Sequence, residues 1–193
     1  MPRVLIACEF SGVVRDAFLA KGIEAYSCDI LPAEPPSPFH IQEDVRLLLK
    51  HDWDLIIAHP PCTYLCNSGV RWLKTEPGRV QKMQRAAQFF NRFTCRKNIK
   101  RVCVENPIMH KYAKEIVTRQ YDQIIQPWMF GHPETKATCL WLHNLPKLTP
   151  TNIVEGREGR IHKMGPSADR GKLRSITYAG VANAFADQWS ILL

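Results

Sequence analysis

No apolar run in the sequence approaches the roughly 20 residues that a membrane-crossing helix needs. The start, MPRVLIACEF, lacks the long apolar core and small-residue cleavage site of an export signal. These two absences lead to the expectation of a cytoplasmic protein with no membrane partner. No C-x-x-C pair occurs among the seven cysteines, and their odd number and scattered spacing speak against a disulfide framework. His59, Cys62 and Cys66, with Cys139 and His143, have loosely plausible zinc spacing. The proline pair inside that would-be knuckle weighs against it, so no metal is expected. A G-x-G-x-x-G fingerprint is missing too: after the first apolar run the chain reads Phe10-Ser11-Gly12-Val13-Val14-Arg15, which disfavours a bound pyrophosphate. There are no internal repeats and no low-complexity segments.

What is present suits a single domain over residues 1–193. At 193 residues with 45% hydrophobic and 23% charged side chains, the chain can bury a core of its own. The formal net charge of +8 points to a polyanionic partner, a nucleic acid or a nucleotide. RVLIAC (3–8), EAYSCD (24–29), DLIIAH (54–59) and RVCVEN (101–106) read as strands buried on both faces. Between them, Val13 to Lys21 and Val80 to Cys95 carry apolar residues at helical spacing, the second through Met83, Ala86, Ala87, Phe90 and Phe93. The alternation predicts an α/β fold with a mostly parallel sheet. A further strand is expected at KATCLWL (136–142), and a last helix with Tyr178, Val181, Ala182, Phe185, Gln188 or Trp189, and Leu192 on one stripe should dock on the sheet.

In such sheets ligands sit beyond the carboxyl ends of the strands. Four strand ends carry suggestive residues: Glu9-Phe10-Ser11-Gly12, Asp29, His59-Pro60-Pro61-Cys62 and Glu105-Asn106-Pro107. Gly12 would let the backbone approach a ligand at a helix start. Asp29 is placed to accept hydrogen bonds from a ribose; the alternative is a turn aspartate capping Ile30-Leu31-Pro32. Pro60 and Pro61 remove two donors and fix φ, giving Cys62 a rigid setting that suits a nucleophile if something takes its proton. Glu105, partly buried on the next strand, is expected to keep its proton and to donate it to a ring nitrogen.

Taken together these segments resemble the cytosine-C5 DNA methyltransferases, and in particular their short phage- and prophage-type members. The resemblance implies a Rossmann-like S-adenosylmethionine-dependent methyltransferase fold, mostly parallel with helices on both faces. It implies S-adenosylmethionine as cofactor, held by Phe10, Ser11, Gly12, Asp29, Asp44, Pro60 and Asn183, the last in a Gly180–Asn183 pair. It further implies Cys62 as a covalent nucleophile on cytosine C6, Glu105 and Asn106 on the target base, and a location in the host cell if a phage encodes the chain. The base would be flipped from a duplex or already unpaired.

Two departures stand out. The family's Gln-x-Arg-x-Arg run is replaced here by residues 131–138, with Lys136 and Thr138 where arginines stand, so Lys136 is the expected catalytic cation. Only a short stretch then precedes the C-terminal motif, where larger members insert a target-recognition domain. In its place lies 156–174, GREGRIHKMGPSADRGKLR, read as an exposed basic loop. Its Arg157, Arg160, Lys163, Arg170, Lys172 and Arg174, together with Arg71, are the expected nucleic-acid contacts. Three alternatives remain: a free pyrimidine nucleotide as substrate, a degenerate cofactor- or DNA-binding module, and an amino-methyltransferase, although His59 and Cys62 replace the residues that last class places around its proline pair.

Overall fold

The computed structural model describes residues 2–94 and 99–193. The chain runs β1 (Arg3–Ala7), α1 (Val13–Leu19), β2 (Glu24–Asp29), β3 (His40–Gln42), α2 (Val45–Leu48), β4 (Leu55–Ala58), α3 (Arg79–Thr94), β5 (Val102–Pro107), α4 (Lys111–Lys114), β6 (Gln123–Ile125), β7 (Thr138–His143), α5 (Arg160–Lys163), α6 (Arg170–Ser175) and α7 (Ala179–Trp189). The strand order is β3-β2-β1-β4-β5-β7-β6. The first five are parallel, and β7 runs antiparallel to both β5 and β6. The predicted helix ending at Cys95 is α3, and Cys95 itself lies outside the described residues.

The central strands carry apolar side chains on both faces because helices cover both. In β1, Leu5 and Ala7 join one cluster with Met83, Ala87, Phe90 and Phe93 of α3. Val4 and Ile6 point the other way, into a cluster with Val14 and Phe18 of α1 and Val181, Phe185 and Trp189 of α7. Phe18, Phe90 and Phe185 are fully buried, each contributing about 1.5–3 kcal/mol relative to exposure. The last helix thus docks on the sheet as its apolar stripe predicts. Its start comes so close to the turn at Phe130 that a Cβ on Gly180 would overlap the Phe130 carbonyl oxygen, and the Gly180 amide donates to His132 Nε2 at 3.0 Å.

The β1–α1 turn is held by polar groups. Gly12 has φ +72°, and a Cβ there would strike the guanidinium of Arg15, which folds back beneath the turn with only 1% exposure. Arg15 Nη1 donates to Ser27 Oγ at 2.8 Å, and Ser27 Oγ lies 2.9 Å from His40 Nδ1. Arg15, a departure from a glycine-rich turn, is the residue that pins this one to β2 and β3.

The segment read as a loop differs from expectation. Within 156–174 the chain forms α5 and enters α6: Gly156 makes a tight turn against Pro133 ahead of the helix, Gly159 caps α5, and Gly165 and Gly171 face open space rather than interrupting a packed face.

Candidate active site

β1, β4 and β5 end side by side, and their exits line one cleft of about 100 Å³. Its walls hold Phe10 and Ser11 from the first turn, His59 to Cys62 from the second, and Glu105 to Pro107 from the third. Lys136, Arg174 and Thr177 complete it from the opposite side. The fold therefore brings together Phe10, Ser11, Pro60, Cys62, Glu105, Asn106, Lys136 and Arg174 of the expected site residues. Gly12, Asp29, Asp44 and Asn183 do not line this cleft.

The exit of β4 is rigid for two reasons. Pro60 and Pro61 restrict the backbone, and Asn106 Nδ2 donates to the Pro60 carbonyl at 2.7 Å, tying the turn to β5. The chain then makes one helical turn, with the amides of Leu65 and Cys66 donating to the Cys62 carbonyl at 2.9 and 3.1 Å. Asn106 Oδ1 and His59 Nε2 are buried without a hydrogen-bond partner among the described residues, so the cleft keeps polar capacity for a ligand.

Glu105 does not match the protonated acid expected from sequence. Burial alone would push its carboxyl up, but His59 Nδ1 at 2.8 Å, the Lys136 charge and Thr138 outweigh it and hold it below the usual carboxylate range. Two contacts fix Lys136 on this side of the cleft, where its ammonium donates to the Arg174 carbonyl at 2.9 Å and lies 5.7 Å from the Tyr178 ring centre. Cys62 is pushed well above a free thiol, first because it donates to Cys66, then by burial and by the nearby Glu105 charge. Cys66 is lowered by accepting from Cys62 and by Ser68, whose Oγ lies 3.1 Å away, with Arg174 adding its positive charge.

Glu9 is buried at the end of β1, and its carboxylate accepts from the amides of Val14 at 2.7 Å and Arg15 at 3.3 Å. Burial raises its carboxyl, against the His59 charge and these two amides. Asp29 Oδ1 accepts from the Leu31 amide at 3.0 Å, the turn-capping alternative, while its position at the end of β2 keeps it half-exposed. Asp44 caps α2, and both of its carboxylate oxygens are engaged by Arg46. Asn183 is exposed on α7.

Most of the expected nucleic-acid cations are tied to the protein's own groups. Arg157 lies over the Trp128 ring at 4.0 Å and Arg71 over Trp72 at 4.5 Å. Arg160 pairs with Glu134 at 3.0 Å, and Arg170 donates to the Met164 carbonyl at 3.0 Å. Lys172 pairs with Glu34 and lies 5.6 Å from the Phe10 ring centre, so this segment leans over the first turn. Lys163 is exposed with no ion-pair partner among the described residues, and Arg174 reaches the cleft.

No protein-family model matches the chain, and no curated protein matches it. Solved structures do. A prophage-encoded protein of E. coli assigned as a DNA modification methyltransferase matches with a TM-score of 0.50 and 17% identity, over 80% of this chain and 52% of that one. The Entamoeba histolytica methyltransferase EhMeth matches at 0.49 and 14%, over 80% and 58%. The S. pombe Dnmt2 methyltransferase matches at 0.44 and 18%, over 86% and 56%. The chain thus spans about half the length of these structures. The likeness to the prophage protein shows the fold alone, a Rossmann-like, mostly parallel α/β fold. No described helix is long and apolar enough to cross a membrane.

Glu9 is a site residue that sequence reading left without a role, and His59 and Cys66 were weighed only as zinc ligands. Glu9 and His59 stood in quoted strand ends, and an acid three residues before a glycine helix start was the available signal for Glu9. Nothing in the sequence marked the His59–Glu105 bond, which forms only because β4 and β5 are neighbours.

Proposed function

We propose that the chain methylates C5 of cytosine in DNA using S-adenosylmethionine, with Cys62 as covalent nucleophile. The observation that carries this reading is the shared cleft, in which a rigidly held thiol, a carboxylate on the next strand and a lysine face the turn after β1.

The turn fits a cofactor without phosphate. The carboxylate of Glu9 already takes the free amides of α1, which removes the place a pyrophosphate would need. Phe10, Ser11, Gly12 and Pro60 would hold the cofactor, and Asp29 would meet its ribose through the oxygen not used on Leu31. Asp44 is committed to Arg46 and Asn183 is exposed on α7 away from the cleft lining, so neither carries weight here. When bound, S-adenosylmethionine supplies a methyl group on a positively charged sulfur.

The protein's own residues do the rest. Cys62 passes its proton to Cys66 and adds through sulfur to C6 of the pyrimidine, leaving C5 electron-rich. Glu105 faces the N3 lone pair, and two acceptors across one hydrogen bond need a proton between them, so base entry takes one up. Lys136 steadies the charge on Glu105 before that. Asn106 Oδ1 offers the acceptor that an exocyclic amine would satisfy. Loss of the C5 proton then allows Cys62 to leave.

Lys163 and Arg174 would meet the phosphates, with residues 156–174 serving where larger relatives of this resemblance carry a recognition domain. C5 and C6 of a stacked base lie inside the duplex, so the target would be an unpaired or flipped base.

Covalent trapping on 5-fluorocytosine tests the reading, because fluorine at C5 cannot leave as a proton does and stalls the adduct. A stable, Cys62-dependent adduct on DNA that requires S-adenosylmethionine is expected. Trapping on a deoxycytidine nucleotide alone would move the substrate to a nucleotide, and no adduct with intact cofactor binding would leave a degenerate module.

A further inference from the structure

The turn that follows the proline pair places a second thiol beside Cys62. Hydrogen bonds from Leu65 and Cys66 to the Cys62 carbonyl, at 2.9 and 3.1 Å, close one helical turn, so residues 62 and 66 project on the same face. Four residues of helix separate α-carbons by about 6 Å, inside the span of about 4.4–6.8 Å that a disulfide bridges. The two thiols are close enough for each to feel the other's charge. Both are half-buried, lying in or beside the cleft where a small oxidant can enter.

We infer that Cys62 and Cys66 form a reversible thiol–disulfide site, oxidised by hydroperoxides, that withdraws the sulfur of Cys62 from use. The surroundings choose which sulfur reacts first. Cys66 has Ser68 Oγ at 3.1 Å and the positive charge of Arg174 nearby, both of which favour a thiolate. Cys28, Cys103 and Cys139 are buried in the sheet, and burial keeps them as unreactive thiols; Cys8, half-buried at the end of β1, also lines the cleft, but desolvation and the Asp29 charge hold its thiol protonated.

The chemistry closes in two steps. The Cys66 thiolate attacks the peroxide oxygen: an S–O bond forms, the O–O bond breaks, sulfur loses two electrons, and the peroxide leaves as water or an alcohol after taking a proton. The Cys62 thiol then attacks the sulfenic sulfur. An S–S bond forms, the S–O bond breaks, and the hydroxyl leaves with the thiol proton as water. A dithiol reverses the bond by exchange. Oxidation consumes the sulfur assigned above as nucleophile, so the effect on methylation, though not the disulfide itself, rests on the proposed function.

The test uses the full-length protein treated with hydrogen peroxide, then alkylated, digested with trypsin and weighed. Cys62 and Cys66 share the peptide from His51 to Arg71, while every other cysteine falls on a different one. The expected product is that peptide unalkylated and two hydrogens lighter, at a peroxide dose that leaves Cys28, Cys103 and Cys139 open to alkylation after unfolding, and restored by dithiothreitol. In Cys66→Ser the same peptide should carry one alkylated thiol and no bond. Recovery of the wild-type peptide with two alkyl groups, with sulfinic acid on Cys66, or bridged to another cysteine overturns the inference. Trapping on 5-fluorocytosine, run on the same samples, separates the two claims: a disulfide without any trap in the reduced protein sinks the proposed function alone, and a trap without a disulfide sinks this site alone.

Discussion

His59 Nδ1 stands 2.8 Å from Glu105 Oε2, so the residue that follows β4 helps set the charge on a residue of its neighbour β5. With Lys136 and Thr138 it keeps Glu105 ionised in the free protein. A cytosine ring that meets Glu105 through N3 then has to bring in a proton. The complex binds one proton more than the free protein, so affinity for an unpaired cytosine should fall as pH rises, by up to tenfold per unit. Calorimetry on Cys62→Ser, across about pH 6 to 9, reads this slope. Glu105→Gln, whose amide donates without uptake, should flatten it, and a flat profile with Glu105 in place would remove the acid role.

Cys62→Ser should lose turnover by roughly 10³-fold or more, as expected when a covalent catalyst is removed. Its side chain borders a cleft rather than the core, so thermal stability should move by less than about 1 kcal/mol. Turnover near wild type in this variant, with an inert Cys66→Ser, would transfer the nucleophile to the other sulfur.

Gly180 tests the packing that shapes the cleft's far wall. A methyl group there overlaps the Phe130 carbonyl, which is backbone and cannot swing aside. Gly180→Ala should destabilise the fold by about 3 kcal/mol in urea unfolding. A loss below about 0.5 kcal/mol would mean that the start of α7 moves freely.

The basic segment gives a selective prediction because its cations are unequally engaged. Lys163→Ala with Arg174→Ala should reduce the slope of log affinity against log salt by about 1.8 on duplex DNA, the share of two phosphates. Arg160→Ala should change it little, since Glu134 already holds that guanidinium at 3.0 Å. Binding to mixed sequences should weaken uniformly. An unchanged slope in the double variant would mark the segment as solvated surface.

How much of the molecule is legible in its sequence depends on the length and polarity of each segment. β2 falls on Glu24–Asp29 as read, and the cores of β1, β4 and β5 are plain because strands covered on both faces are continuous apolar runs. β3 and β6, three residues each with polar members, have no such run and are strands only because β2 and β7 pair with them. The short α5 and α6 hide among glycines. In the site, Cys62 and Glu105 announce themselves through their proline neighbours, whereas Glu105's charge depends on His59 and Lys136, 46 and 31 residues away in sequence.

Glu9 has a consequence for selectivity among the small molecules of a cell. In this topology the first helix start is where a dinucleotide would set its phosphates, and here an internal carboxylate has been built into that seat. An incoming phosphate would find the amides of Val14 and Arg15 already taken. Abundant nucleotides such as ATP or NAD should therefore be poor competitors at this turn however high their concentration, while a zwitterionic or cationic adenosine derivative meets no such barrier. On the proposed reading, the chain disfavours phosphate-bearing rivals partly by filling, with its own side chain, the place they would need.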